Sequence, residues 1–484
     1  MTTRAYDLII IGAGPVGENV ADRAASGGLS VVIVEAELIG GECSYWACIP
    51  SKAILRPGAA IAAARRVGGA AEAVTGSIDV AAVLKRRDYW VSDWDDSGQV
   101  EWLQSVGVDL VRGHGRITGP RAVSVTGPDG STTSLVAHHA VVVSTGSAAL
   151  IPDVPGLAEI EPWTSREATG VQTVPKRLAI LGGGVVAAEM ATAYVSFGTE
   201  VTLIARSGLL GGLEPFAGEA VLAALREAGA SVHLGRSIAS ASRNEAGEVE
   251  YTLDDGTGLV ADELLVATGR TPRSEDLGLE TIGLKPGSWL DVDETLRVLT
   301  HGNPQIEGGW LYAVGDINHR VLLTHQGKYQ GRAAGDVIVA RAKGLAQDGG
   351  TWGVHAATAD HRAVPSVVFS DPEVASVGLT ADAAEKAGLR VKVLDYDLGT
   401  VSGSGLHADG YTGQVRAIVD LDREVLVGMT LLGPDVAEML HAATIAIVGE
   451  VPMARLWHAV PAFPTMSEVW LRLLEAYGRP TAED

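Results

Sequence analysis

Residues 6–35 read Tyr6-Asp7-Leu8-Ile9-Ile10-Ile11, then Gly12-Ala13-Gly14-Pro15-Val16-Gly17, a helical run through Ala25, a Gly27-Gly28 break and Val31-Val32-Ile33-Val34-Glu35. A strand, a tight turn, a helix and a second strand fit every piece. Gly12 permits the turn, Gly14 lets backbone approach a pyrophosphate, and Gly17 allows close packing of the helix. The helix N-terminus then faces the phosphates, where unpaired N–H groups favour negative charge. Glu35, at the end of the second strand, can accept ribose hydroxyls. A bare G-x-G-x-x-G says little, but strand, helix and acidic strand end together predict a dinucleotide-binding unit.

A second such unit follows. Arg177-Leu178-Ala179-Ile180-Leu181 leads into Gly182-Gly183-Gly184, with Glu189 beyond, a helix to Phe197-Gly198 and Val201-Thr202-Leu203-Ile204-Ala205-Arg206. Two units imply two nucleotide cofactors. Where the first ends in Glu35, the second ends in Ala205-Arg206. An acid there would pair with a ribose 2'-OH and repel a 2'-phosphate, so its absence beside Arg206 favours NADPH over NADH.

Between the two lies Gly40-Gly41-Glu42-Cys43-Ser44-Tyr45-Trp46-Ala47-Cys48-Ile49-Pro50-Ser51-Lys52, holding the only two cysteines of 484 residues. Five residues of regular helix rise about 7.5 Å, beyond the roughly 7 Å over which two Cα atoms are bridged, so a disulfide here requires irregular backbone. Gly40-Gly41 lead in and Pro50 biases Ile49 away from helical dihedrals, which predicts a helix after Pro50 rather than across the pair. The competing reading is two buried free thiols. Two cysteines exclude a disulfide scaffold and are too few for a Cys-rich metal site, so no metal is expected. A net charge of −22 argues against nucleic acid or an anionic membrane as partner. There is no run of about 18 apolar residues and no signal-like start, which reads as a cytoplasmic protein. Trp90, Trp94 and Trp102 fall close to one face of an expected helical segment from Asp88 to Leu103, where core packing is the expectation. The length should divide into roughly three units of about 150 residues.

An N-terminal dinucleotide fingerprint followed by Gly-Gly-x-Cys-x-x-x-x-Cys-x-Pro-Ser-Lys resembles the pyridine nucleotide-disulfide oxidoreductases, the flavoproteins that include dihydrolipoamide dehydrogenase, glutathione reductase and mercuric reductase. The resemblance implies an α/β fold with two Rossmann-like domains and an α+β C-terminal dimerisation domain. The FAD-binding domain would comprise 1–150 and 272–345, the NAD(P)H-binding domain 151–271, and the interface domain 346–484, making a homodimer. It implies FAD on Gly12, Gly14, Gly17 and Glu35. Thr145-Gly146 would form the crossing into the next domain, and Asp316 of Val314-Gly315-Asp316 would contact the ribityl chain. The pyridine nucleotide would lie on Gly182, Gly184 and Arg206, with Gly269 at the exit from its domain. Cys43 would be the interchange thiol and Cys48 the flavin-facing thiol. Lys52 would lie near flavin N5, paired with Glu189. The segment from Leu322 to Arg332 would begin a helix under the flavin's pyrimidine edge, with His325 near its start.

One departure is plain. Where disulfide reductases of that family carry His-Pro-Thr-x-x-Glu, this chain has Phe463-Pro464-Thr465-Met466-Ser467-Glu468. A thiol with pKa about 8.5 is mostly protonated at neutral pH, and that imidazole would be its acid and base. Phe463 can be neither. Glu468 remains a candidate catalytic residue, and His458 is the candidate substitute base. Mercuric reductase also lacks this histidine but relies on a C-terminal cysteine pair, and nothing after Cys48 supplies one. Tyr45-Trp46 between the cysteines either line the acceptor site or pack against Phe463. The sequence therefore predicts an FAD-dependent enzyme that passes hydride from NADPH through a Cys43-Cys48 disulfide to a small-molecule acceptor. That acceptor would be a quinone, a dye-like compound, a metal ion or an unusual disulfide. The alternatives are a dihydrolipoamide dehydrogenase-type enzyme with another base, and a flavin-binding interaction protein whose catalytic site has lapsed.

Overall fold

The computed structural model describes residues 3–479. Two compact units emerge, one from Met1–Pro50, Asp88–Ala149 and Arg270–Asp360, the other from Ser51–Arg87, Leu150–Gly269 and His361–Asp484.

The first unit is built on the opening stretch. Its strands are β1 (Thr3–Ile11), β2 (Val31–Glu35), β3 (Val108–Arg112), β4 (His114–Gly119), β5 (Ala122–Thr126) and β6 (Thr132–Val143). They lie in the order β3-β2-β1-β6-β5-β4, and Leu311–Ala313 pairs with the end of β6. The β3-β2-β1-β6 part is parallel, with Ile11 opposite both Val34 and Val143. Strands covered on both faces read as unbroken apolar runs. Leu8, Ile9 and Ile10 are accordingly all at 0 % exposure, each contributing about 1.5–3 kcal/mol of burial. Helix α1 (Pro15–Ser26) starts with proline in its first turn, where the missing N–H costs nothing. A second long helix, Thr324–Ala342, packs beside it: a Cβ at Gly331 would meet the Val16 carbonyl oxygen at 2.7 Å.

The cysteine stretch forms α2 (Gly41–Tyr45) and α3 (Cys48–Arg65), separated by Trp46 and Ala47. The backbone is indeed broken between the cysteines, but α3 begins at Cys48 rather than after Pro50. Pro50 falls in the first turn, whose N–H groups have no helical partner, so it does not disturb the ladder. The tryptophan expectation is corrected. Val80–Trp90 and Ser97–Ser105 are separate helices, broken where Ser92, Asp93 and Trp94 take φ of 52°, 50° and 59°. Trp90 is 53 % and Trp102 36 % exposed, so the rings do not form one packed face.

The second unit contains a parallel four-stranded sheet in the order Ser231–Leu234, Glu200–Ala205, Arg177–Leu181, Glu263–Val266. Helix Val185–Ser196 follows the Gly182–Gly184 turn and buries its small residues among Leu178, Ile180 and Leu203. A three-stranded antiparallel sheet (Ile238–Arg243, Val249–Leu253, Gly258–Ala261) shares an apolar core with Leu181, Ile204 and Val266 of the parallel sheet. The C-terminal part is a five-stranded antiparallel sheet in the order Pro365–Val368, Glu373–Gly378, Val425–Gly433, Gln414–Asp420, Val391–Asp397. Helices Leu440–Val448 and Val469–Tyr477 share the apolar core of this sheet.

Candidate active site

The first glycine turn is held by its own backbone. Gly12 adopts φ +103°, where a Cβ would strike the Ser144 carbonyl oxygen at 2.5 Å. At Gly17 a Cβ would meet the Gly12 oxygen at 2.1 Å, whereas at Gly14 nothing lies within 4 Å. The turn is thus closed towards the protein and open at Gly14, the side a pyrophosphate would occupy. Glu35 accepts the Ala13 N–H at 2.7 Å through Oε2 and the Glu37 N–H at 2.8 Å through Oε1. It braces the turn and keeps lone pairs for ribose hydroxyls. Thr145 follows β6 with a buried Oγ1 that has no hydrogen-bond partner, and Gly146 takes φ +71°. Asp316, in the turn after Leu311–Ala313, accepts from Ser147 Oγ at 2.5 Å and lies 3.6 Å from Arg270 Nε. An open cradle, an acidic strand end and an orphaned hydroxyl fit FAD.

Both cysteines are free thiols. Cys48, opening α3, has Sγ 3.3 Å from Thr324 Oγ1, the first residue of helix Thr324–Ala342. Cys43 is pushed well above the usual thiol range, first by its hydrogen-bonded contact with Cys48 and then by burial. Thr324 and the Lys328 ammonium pull in the opposite direction. The Cys43 thiol is thus protonated at neutral pH and is not preactivated. Tyr45, 2 % exposed, points its hydroxyl at Gln99 Oε1, 3.4 Å away. Burial, followed by the charges of Asp96 and Glu18, raises its phenol to about 12.

Helix α3 runs on to Lys52, whose Nζ lies 2.7 Å from Glu189 Oε2. Glu189 is 3 % exposed, so it is not a solvated helix charge. Its other oxygen accepts the Phe369 N–H at 3.1 Å, and Lys52 Nζ sits 4.8 Å from the Phe369 ring centroid. Phe369 was invisible to motif reasoning because its backbone supplies the bond.

In the second turn Gly182 has φ +143° and a Cβ there would meet the Ala267 oxygen at 2.2 Å, while Gly184 is open within 4 Å. Arg206 follows strand Glu200–Ala205, exposed and without a hydrogen-bond partner among the described residues. Sequence reasoning passed over Arg236, which the register brings to the same strand end: its N–H reaches the Ala205 carbonyl at 3.3 Å. Its guanidinium is held by Asp255 at 2.8 Å. Gly269, at φ +150°, accepts the Leu150 N–H at 3.0 Å.

At the C-terminus Phe463 is 73 % exposed and His458 is exposed. Glu468 is 8 % exposed, with Oε1 bound by Arg472 at 2.5 Å and Oε2 buried without a partner.

Residues 6–331 match the pyridine nucleotide-disulphide oxidoreductase family, and residues 364–473 match its dimerisation domain. The chain belongs to this family. It is 30% identical to a mercuric reductase from Staphylococcus aureus, over 96% of this chain and 81% of that one. It is 31% identical to a dihydrolipoyl dehydrogenase from Thermus scotoductus, over 98% and 97%. Among solved structures it resembles a Cu(II) complex of the HOCl-induced flavoprotein disulfide reductase RclA from Escherichia coli, with a TM-score of 0.82 and 22% identity over 98% of this chain and 99% of that one. These structural likenesses speak for the fold. Pyridine nucleotide-disulphide oxidoreductases are enzymes that use FAD and a pyridine nucleotide, and the dimerisation domain indicates a homodimer. No helix among the described residues is long and apolar enough to cross a membrane.

Proposed function

We propose that this chain is a cytoplasmic, homodimeric NADPH oxidoreductase in which Cys43 and Cys48 form a redox-active pair. In this reading the electrons go to an acceptor that does not need a partner imidazole: a quinone, a dye-like compound, a metal ion or an unusual disulfide. FAD, when bound, would supply the two-electron chemistry that links a nicotinamide hydride to a disulfide. Gly12, Gly14, Gly17 and Glu35 would hold its dinucleotide, Thr145 and Gly146 would flank it, and Asp316 would take the ribityl hydroxyls. The Lys52 ammonium, steadied by Glu189, offers positive charge where negative charge develops in the ring. Cys48 receives the electron pair and Cys43 hands it on.

The observation that carries this reading is the two thiols meeting at the break between α2 and α3, with Thr324 against Cys48, in a chain that has no other cysteine. Anaerobic titration with NADPH tests it. Uptake of four electrons per FAD, with a long-wavelength band from thiolate against oxidised flavin, is the expected result. Uptake that stops at two would remove the cysteines from the circuit.

Gly182 and Gly184 receive the pyridine nucleotide, and the unpaired Arg206 guanidinium suits a 2'-phosphate. Arg206→Glu is expected to lower kcat/KM for NADPH by on the order of a hundredfold while leaving NADH within a few fold. Steady-state kinetics with both nucleotides read this directly. A wild-type enzyme that used NADH as well as NADPH would contradict it.

A further inference from the structure

Glu18, in the first turn of α1, belongs to no motif used above. A carboxylate in a first helical turn is ordinarily stabilised by the helix dipole, which lowers its pKa. Here burial dominates and pushes the carboxyl up to about 7; the Glu35 charge pushes further in the same direction and Lys328 opposes it. Its Oε1 is buried and has no hydrogen-bond partner.

The carboxyl borders a cleft of about 420 Å³. Asn19 and Asp22 of its own helix line one wall, Gln99 and Trp102 of helix Ser97–Ser105 the other, and Lys328 closes the side formed by helix Thr324–Ala342. The charged groups bearing on Glu18 are thus Lys328 and Glu35 from β2, and Asp22 of α1 also lines the cleft; helix Ser97–Ser105 brings only neutral side chains to it. The same Lys328 acts on the Cys43 thiol, and Glu18 acts on the Tyr45 phenol two residues beyond Cys43. Geometry joins the two places as well: Tyr45, on the same short helix as Cys43, directs its hydroxyl to Gln99 of the cleft wall at 3.4 Å. Within the cleft, Trp102 offers a planar apolar face and Glu18 a carboxyl with an uncommitted oxygen.

We propose that Glu18 is the proton donor to an acceptor bound in this cleft, and that the acceptor is a planar, proton-coupled two-electron oxidant of the quinone class rather than a metal ion. The inference rests on the reading that the Cys43-Cys48 dithiol delivers the electrons. Two S–H bonds break, an S–S bond forms between Cys43 and Cys48, and their two protons leave to solvent. The electron pair reduces the quinone, whose two oxygens take one proton from the Glu18 carboxyl and one from solvent. The carboxylate is then reprotonated from solvent. The net change is dithiol plus quinone to disulfide plus hydroquinone. A bare metal ion has no use for the proton, which is why the carboxyl selects among the acceptors.

The test follows reoxidation of NADPH-reduced enzyme by stopped flow between pH 5.5 and 8.5, with duroquinone, which needs protons, and ferricyanide, which does not. Wild-type reoxidation by duroquinone should fall as pH rises through about 7, where the acid form of Glu18 is lost; reoxidation by ferricyanide should lack that limb. In Glu18→Gln the ratio of duroquinone to ferricyanide rates at pH 6 should fall by about a hundredfold and its dependence on pH should vanish. The wild-type comparison stands alone if the variant fails to retain FAD. The same limb with both oxidants, or an unchanged ratio in Glu18→Gln, would overturn the role of Glu18 and leave the redox pair intact. A wild-type enzyme that takes up only two electrons would instead remove the reading beneath it, and the inference with it.

Discussion

Cys48→Ser and Cys43→Ser enzymes should each lose on the order of a thousandfold or more in turnover with duroquinone or lipoamide, while NADPH still bleaches the bound flavin. The two losses should be alike, because a pair that works as one unit fails when either member is removed. The electron-uptake readout then separates them from simple misfolding: each variant should accept two electrons per FAD where wild type accepts four. Serine is close in size to cysteine and can keep the contact that Cys48 makes with Thr324 at 3.3 Å. Lost turnover therefore reports lost sulfur chemistry rather than a collapsed helix start. Unchanged duroquinone turnover would mean that electrons leave the flavin directly and that the cysteines only pack.

Position 43 carries a second consequence. Contact with Cys48 and burial raise its pKa, so the thiol is mostly protonated near pH 7. Attack on a substrate disulfide needs the thiolate, and in this chain residue 463 is a phenylalanine that cannot remove the proton. Slow lipoamide turnover beside faster quinone turnover is the pattern this chemistry favours. Glu468 offers no ready base in its place: one oxygen is bound by Arg472 and the other is buried with no partner.

The strand-turn-helix units were readable because each piece enforces the next. Apolar runs of parallel-strand length lead into glycines that must take positive φ or leave space, and the helix follows. Cys43, Cys48 and Lys52 are legible as a motif, but the start of α3 is not. Pro50 suggests a helix break, but a first-turn proline removes no helical hydrogen bond. The bend at Ser92, Asp93 and Trp94 left no trace in the sequence, since none of the three is a glycine. Glu18 could not have been singled out from its neighbours in sequence. What buries it and bears on it comes from helix Ser97–Ser105, about eighty residues on, and from Lys328, more than three hundred residues on. Local patterns announce cradles for backbone and phosphate; a carboxyl whose chemistry is set by distant elements becomes visible only when those elements are assembled.

The Lys52-Glu189 pair yields the other large effect, and its two halves should behave differently. Lys52 is 37 % exposed at its side chain and Glu189 only 5 %. Lys52→Met leaves a buried carboxylate facing no cation, with only the Phe369 N–H to satisfy it. Breaking a fully buried pair costs about 3–5 kcal/mol, and the exposure of Lys52 lowers the expectation here to about 2 kcal/mol. Glu189→Gln removes the charge together with the need to compensate it. Its amide oxygen can still accept the Phe369 N–H, and the half-exposed Lys52 can turn to water, so stability should change by less than about 1 kcal/mol. Activity should rank the same way. On the role proposed for Lys52, losing its ammonium should slow flavin reduction by about a hundredfold, whereas losing only the group that steadies it should slow reduction by about tenfold. Chemical denaturation and stopped-flow reduction by NADPH measure both quantities on the same preparations. A Glu189→Gln enzyme that unfolded as readily as Lys52→Met would show that the carboxylate contributes stability beyond its charge balance with Lys52, through the segment that carries Phe369.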